Sequence, residues 1–434
     1  MRNIFLIILA FVVNNTNAQV PTPAPKQNNS VLILNATAHL GNGKVIDNAA
    51  IGFKDGKFTL VADARVIKIN PAEFDTIIYT QGKHVYPGFI APNSTLGLAE
   101  IDAVRATRDV DETGTFNPHV RSVIAYNTDS KITPTVRSNG VLIAQITPRG
   151  GIISGTSSIV QLDAWNWEDA VVKENDGIHL NWIKKFHHKG WWAESGGIEK
   201  NKNYDKNYNE LLQFFKDAKA YSKVKDHEKI NLRFEAMRGV FNGEKTLFIH
   251  ANYIKEITEA INFVKTFEIP KVVLVGAHDA YLIPEVLKEN NIAVLLQRIH
   301  SLPENEEEPI DFPYQLPSIL IKNGVLVALE NSGDMERMNT RNLPFYAGTA
   351  AAYGLDKETA LQLITLNTAK ILGVDDKLGS IEPTKDATFF ISEGDALDMK
   401  TNKVVLAFIN GRSIDLNNSQ KMLYEKYMNK YKNQ

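Results

Sequence analysis

Three side chains in this sequence are metal donors placed at the ends of apolar runs, where an enzyme would use them. His250 ends the run TLFIH, His278 follows KVVLVGA in the segment HDAY, and Glu330 ends GVLVALE. Imidazole and carboxylate are what zinc takes where thiolate is missing, and the 434 residues contain no cysteine. With Asp279 beside it, the set is a loose His/His/carboxylate group. One divalent ion held there would lower the pKa of bound water and polarise a carbonyl. The spacing is not a metal motif, and each residue also suits a structural role, such as a histidine hydrogen-bonded to nearby backbone.

Other segments carry weaker signals. TPRGGIISGTSS (147–158) is glycine-rich but lacks the Gly-Lys-Ser/Thr ending of a phosphate loop and the Gly-x-Gly-x-x-Gly of a dinucleotide turn. It reads better as a loop lining a site, with Arg149 able to hold a carboxylate of a substrate or of a neighbouring aspartate. In IHLNWIKKFHHKGWWAESGG (178–197) the adjacent His187 and His188 point apart on a strand or a helix, so they do not chelate one ion. That segment reads as a lid or an interface. ENEEEP (304–309) reads as a solvated loop, and no Gly-x-Ser-x-Gly elbow supports a serine hydrolase.

The elements that must position these residues follow from periodicity. Apolar runs at 140–148, 246–251, 271–277, 292–297 and 324–330 alternate with helical stretches such as NYIKEITEAINFVKTF. Buried strands separated by helices predict a parallel sheet covered on both faces, and this many units predict a (β/α)8 TIM barrel over 87–378. The third and fourth strands are blurred by a polar insertion near 170–230. Short strands with hairpin signals at 31–86, and strand–turn–strand material at 379–416, predict one small composite β-sandwich domain made from both parts of the chain. SQKMLYEKYMNKYKNQ places Leu423, Tyr427, Met428 and Tyr431 at helical spacing and predicts a closing amphipathic helix within 417–434.

Before the fold, residues 1–18 have Arg2, an apolar run from Ile4 to Val13 and the ending Thr16-Asn17-Ala18, the layout of a secretory signal peptide. A proline/asparagine-rich linker occupies 19–30. The expectation is an exported protein, periplasmic or secreted, with no membrane span. A formal charge of −2 predicts no nucleic-acid partner and no basic membrane-facing surface.

The segment HVYPGFIAPNSTLGL (84–98) resembles strand one of the amidohydrolase superfamily, on its imidazolonepropionase-like side, where the family reads Pro-Gly-Phe-Ile-Asp-x-His-x-His-x-Gly. VRSNGVLIAQITPRGG is similar to the next barrel segment. The most specific likeness is RNLPFYAGTAAAYGLDKETALQLITLNTAKILGVDDKLGSIEPTKDATFFISEGDAL, with Thr384 where the family's turn has glycine. The resemblance implies a metal-bearing barrel with a composite β-sandwich, and hydrolysis of non-peptide C–N bonds. It puts the first metal-binding pair on Asn93 and Thr95, with Ala91 in place of an aspartate. The strand-five histidine falls on His250 and the strand-six histidine on Gly276, with His278 two residues on. The strand-eight aspartate falls on or near Ser332, with Glu330 or Asp334 as stand-ins.

Asparagine and threonine are poor zinc ligands. Two expectations follow. One is an exported amidohydrolase relative with a degenerate metal site, binding a small molecule or supporting a partner through a pocket that includes Asn93, Thr95, Arg149, Gly276 and Ser332. The other is an active amidohydrolase acting on an amide or cyclic imide-like substrate through a rearranged mononuclear site of His250, His278, Asp279 and Glu330. Zinc or another divalent metal is expected only if that site is rebuilt. The sequence leaves room for a homo-oligomer or a complex with a related hydrolase, with Trp191-Trp192 at the contact.

Overall fold

The computed structural model describes residues 21–191, 194–333 and 335–432. The signal-peptide expectation therefore lies outside the described residues, as do Trp192 and Asp334.

Five strands form first: β1 (Val31–His39), β2 (Val45–Lys54), β3 (Lys57–Asp63), β4 (Thr76–Tyr79) and β5 (His84–Pro87). The barrel strands are β6 (Phe89–Ser94), β7 (Val141–Ile146), β8 (Ile153–Gln161), β9 (Val171–Asn181), β12 (Thr246–Ala251), β13 (Val272–Gly276), β14 (Ala293–Leu296) and β15 (Val327–Leu329). Between β9 and β12 the hairpin β10 (Phe186–Trp191) and β11 (Glu194–Lys200) makes a separate two-stranded sheet. Strands β16 (Phe389–Ser392), β17 (Val404–Ile409) and β18 (Arg412–Ser413) return to the first sheet, in the order β18-β17-β16-β5-β1-β2-β3 with β4 also on β1. That sheet is thus built from both parts of the chain, around Phe53, Phe58, Phe389 and Phe408.

The barrel sheet runs β15-β14-β13-β12-β9-β8-β7-β6. Its residues alternate between two apolar clusters: Ile143, Phe248, Val273, Leu295 and Ala328 share one, while Leu142, Ile249, Leu274, Leu296 and Leu329 share the other. Both faces are therefore dry, as a period of two on a doubly covered sheet requires. Closure is indirect. Leu329 N–H donates to Leu363 C=O and Ile90 N–H to Ile364 C=O, so two adjacent carbonyls bridge β15 to β6.

One strand departs from the expected parallel order: β8 runs antiparallel to both β7 and β9. The reason is the six-residue connection Thr147–Ile152, too short for a crossover helix, which needs a dozen or more residues. It turns back as a hairpin through Gly150 and Gly151, at φ 79° and 62°. The first sheet passes directly into the barrel at Pro87-Gly88. There a Cβ on Gly88 would meet the Thr388 and Leu142 side chains at 3.0–3.1 Å, so any larger residue would have to push them back by a few tenths of an ångström.

The stretch read as a linker is pinned rather than free. Ala24 N–H donates to Asp163 and its carbonyl accepts from Arg412, whose guanidinium also pairs with Asp163. The terminal helix forms at Ser419–Lys432, but it closes nothing: none of its residues is buried.

Candidate functional site

Two residues beyond the apolar layer inside the barrel, the same strand faces turn polar. Ile143 is followed by Gln145 on β7 and Phe248 by His250 on β12, while Ala328 of β15 is followed by Glu330 just past its end. This ring at the C-terminal strand ends is where a barrel places its chemistry.

On one side of the ring the groups are charged and mutually bonded. Asn93, buried at φ 49°, donates its side-chain amide to Glu330 at 3.2 Å and accepts from Arg149 Nη1 at 3.0 Å. Its backbone N–H donates to Gln145 Oε1 at 2.9 Å and its carbonyl accepts from Arg149 Nη2 at 2.8 Å. Arg149 Nη2 also pairs with Glu336 at 3.1 Å. Thr95 donates its hydroxyl to the same Glu336 carboxylate and accepts from Arg337 Nη1 at 3.0 Å, while Arg337 pairs with Asp102. Gln145 donates to Asp176 at 2.7 Å, a fully enclosed carboxyl that also accepts from Ser157 at 2.8 Å and whose pKa is pushed up by burial. Glu330 accepts from Ser332 N–H at 2.5 Å and Ser332 Oγ at 2.7 Å. Burial raises its pKa to about 7, against the lowering effect of the Ser332 bonds and of Arg149.

The other side holds two histidines. His179 Nδ1 lies 2.9 Å from His250 Nε2, and His179 stacks on Phe248 with ring centroids 4.7 Å apart. Burial, reinforced by Arg149, lowers the His250 pKa to about 3, and burial beside His250 drives His179 well below its ordinary value. Both rings are therefore neutral at pH 7, joined by one N–H···N bond, and His179 Nε2 is buried without a hydrogen-bond partner.

His278 joins neither side. It is buried outside the ring, with Nδ1 2.8 Å from Asp279 and Nε2 3.4 Å from Glu308, beneath Phe312. Glu308 is thus drawn inward from the stretch read as solvated, while Glu306 and Glu307 are exposed as expected. Gly276 ends β13 at φ 89°, where an added Cβ would strike the Asn252 side chain at 2.1 Å. His187 sits on the β10–β11 hairpin, half exposed, 3.9 Å from Glu199. A cavity of about 670 Å³ lies between this hairpin and the Tyr253–Glu259 segment. A second, of about 650 Å³, opens at the ring itself beside Thr95, Asp102, Arg149, Glu336 and Arg337.

The structure thus brings Asn93, Thr95, Arg149, Glu330 and Ser332 into one bonded network and places His250 beside His179. Reading the sequence did not single out His179, Gln145, Asp176, Glu336 or Arg337. For His179 and Gln145 the inward period-two face of a strand end was the available signal. Glu336 and Arg337 open the helix Glu336–Asn339 just after Met335, at φ 56°, and four residues are too few to show a periodicity.

These residues do not fit a metal centre of the kind the resemblance implies. Asn93 and Thr95 spend their side-chain atoms on Glu330, Arg149, Glu336 and Arg337, and a guanidinium stands beside them. Among the described residues, no group of three or more His, Asp or Glu is placed to hold an ion. Zinc sites use three or four such donors.

Residues 184–414 match the model of the amidohydrolase family. Among solved structures, an amidohydrolase from Thermotoga maritima MSB8 is similar over 89% of this chain and 99% of its own, at 25% identity and a TM-score of 0.75. Molinate hydrolase is similar over 90% of this chain and 95% of its own, at 14% identity and a TM-score of 0.53. A zinc-bound adenosine deaminase from Xanthomonas campestris is similar over 93% and 98%, also at 14% and 0.53. The last two likenesses are of fold alone. No curated protein matches the chain.

Proposed function

The chain belongs to the amidohydrolase family, and from that premise we propose that it is a member whose barrel mouth has given up metal-dependent hydrolysis and serves to bind a small ligand or support a partner. The observation that carries this reading is the engagement of Asn93 and Thr95 by Arg149 and Glu336. A divalent ion about 4 Å from the guanidinium would meet a repulsion of order 8 kcal/mol at an effective dielectric of about 20. That rivals the ~10–16 kcal/mol yield of a whole structural zinc site. The cavity beside the network suits a small polar ligand, whose hydrogen bonds would replace those of water at Arg149 and Glu336.

Turnover decides the matter. Amides and cyclic imides are offered to the mature protein with and without added zinc, manganese or cobalt. No metal-stimulated hydrolysis is expected. Hydrolysis that a metal stimulates and His250→Ala abolishes would overturn the reading.

A second reading, an active amidohydrolase with a rearranged mononuclear site, draws on one observation: neutral His179 and His250 present ring nitrogens to each other, and Glu330 titrates near neutrality. Against it, among the described residues His250, Glu330 and His278 share no hydrogen-bonding partner. We further propose that the protein is exported, periplasmic or secreted, with Gln19 as the first mature residue. N-terminal sequencing of the protein from its native envelope tests this. Assembly with itself or with a related hydrolase belongs to the same proposal and is read by co-purification.

A further inference from the structure

The helix Ser419–Lys432 is 14 residues long and buries none of them. Leu423, Tyr424, Tyr427 and Tyr431 stand 53%, 66%, 53% and 62% exposed. At 100° per residue these four and Met428 share an arc of about 140°. Lys426 and Lys430 fall on one margin of that arc, Lys421 and Lys432 on the other, and Glu425, Asn429 and Met422 opposite. Four lysines against one glutamate give the helix a local charge of +3 on a chain whose total is −2. Its root is tied to the body by Gln420, which accepts from Thr135 at 2.8 Å. Thr135 lies in the short helix that leads into the N-terminal end of β7, the barrel end opposite the polar ring.

We infer that this helix lies on an anionic bilayer surface, its tyrosines and Leu423 in the headgroup boundary and Lys426, Lys430 and Lys432 reaching out to lipid phosphates, while Lys421 is held by the Leu416 carbonyl at 2.9 Å. Amphipathic helices that rest in the interface carry an apolar arc with basic residues beside it. Long lysine stems bury their methylenes while the ammonium stays at headgroup level. Tyrosine, apolar on its ring and wet at its hydroxyl, suits that boundary. Pairing with a second copy is disfavoured by the same layout: two such arcs laid together would bring lysine margins against lysine margins, with Glu425 facing away. An anionic surface accepts both margins at once. The whole-chain charge hides this because it averages the four lysines of this helix with the 50 acidic residues of the whole chain.

The test is co-sedimentation of the full mature chain with phosphatidylcholine vesicles, with and without phosphatidylglycerol. The proposal predicts binding to the anionic vesicles, weak binding to the neutral ones, and a fall with added salt. At about 1 kcal/mol per lysine near such a surface, the double variant Lys426→Gln/Lys430→Gln should bind about 30-fold more weakly. Tyr427→Ser/Tyr431→Ser should also weaken it, with the circular dichroism of the chain unchanged. Equal binding to both vesicle types, or none to the anionic ones, overturns the proposal. So does a concentration-dependent dimer that the tyrosine variant dissociates, which would mark the arc as a contact between copies.

Discussion

On the side of the mouth built from β6, the β7–β8 loop and the segment after β15, charge is kept and paired: Arg149 with Glu336, Arg337 with Asp102, Glu330 capped by Ser332 and Asn93. On the side built from β9 and β12, charge is given up, and His179 and His250 are neutral rings joined by one N–H···N bond. The first arrangement is stable only while every partner is in place, because a stranded charge in a barrel is costly. The second has no charge to strand until acid protonates it, whereas on the first Glu330 changes charge near pH 7. An ion joining the two sides would have to break the ion pairs of the one and the imidazole–imidazole bond of the other.

Among the substitutions, the largest loss of stability at neutral pH should come from breaking the charged side. Arg149→Ala takes the guanidinium from Glu336, which keeps only Thr95, and from the Asn93 carbonyl, and should destabilise the protein by about 2–3 kcal/mol in urea titration. This is less than the ~3–5 kcal/mol of a fully buried pair because the guanidinium is about a quarter exposed. Arg149→Lys should recover only part of it, since an ammonium cannot reach Asn93 and Glu336 in a fork. A loss under about 0.5 kcal/mol for Arg149→Ala would mean the network is decoration.

The Glu330 carboxyl sharpens the comparison through pH. Its folded pKa of about 7 lies above the ordinary value of 4.5, so the folded form holds the proton more tightly than the unfolded chain. That stabilisation is full below about pH 4.5 and is lost as pH rises through 7, by about 3 kcal/mol in total. Denaturant midpoints followed from pH 4.5 to 8 should fall in the parent more steeply than in Glu330→Gln, which has no proton to lose.

His250 should show the opposite sign. Its folded pKa of about 3 lies below the ordinary 6.5, so its contribution is present above pH 6.5 and drains away as pH falls towards 3. By pH 5 the loss is about 2 kcal/mol. His250→Gln, which still bonds His179 but does not titrate there, should be more resistant to acid than the parent. If both variants moved the pH profile in the same direction, the two sides would not differ as described. The smallest effect is expected from Ser332→Ala. Losing one hydroxyl bond to Glu330 costs about 1 kcal/mol and moves the Glu330 midpoint further up in a carboxyl-resolved NMR titration.

Much of this was legible in the residues. His250 and Glu330 were found because a period-two strand that stays apolar and then ends in a donor marks the barrel mouth. Arg149 was found because its glycine-rich loop follows such a strand. The direction of β8 was not legible, because GIISGTSSIV reads the same whichever way it runs; only the short connection before it carried the signal. His179 was hidden inside the polar insertion read at 170–230, which blurred the third and fourth strands. His278 followed its strand correctly but turned outward, because Ala277 adopts a left-handed conformation at φ 51° and the chain enters a 3-10 turn. The terminal helix was read from its spacing, but spacing does not say what an apolar arc faces.

The most direct test of the central claim, that a paired polar network stands where the family's metal would be, is elemental mass spectrometry of the mature protein purified without chelators, beside His250→Ala. The account predicts metal far below one equivalent in both proteins, even after incubation with zinc and removal of the excess. Close to one equivalent in the parent, absent from His250→Ala, would contradict it.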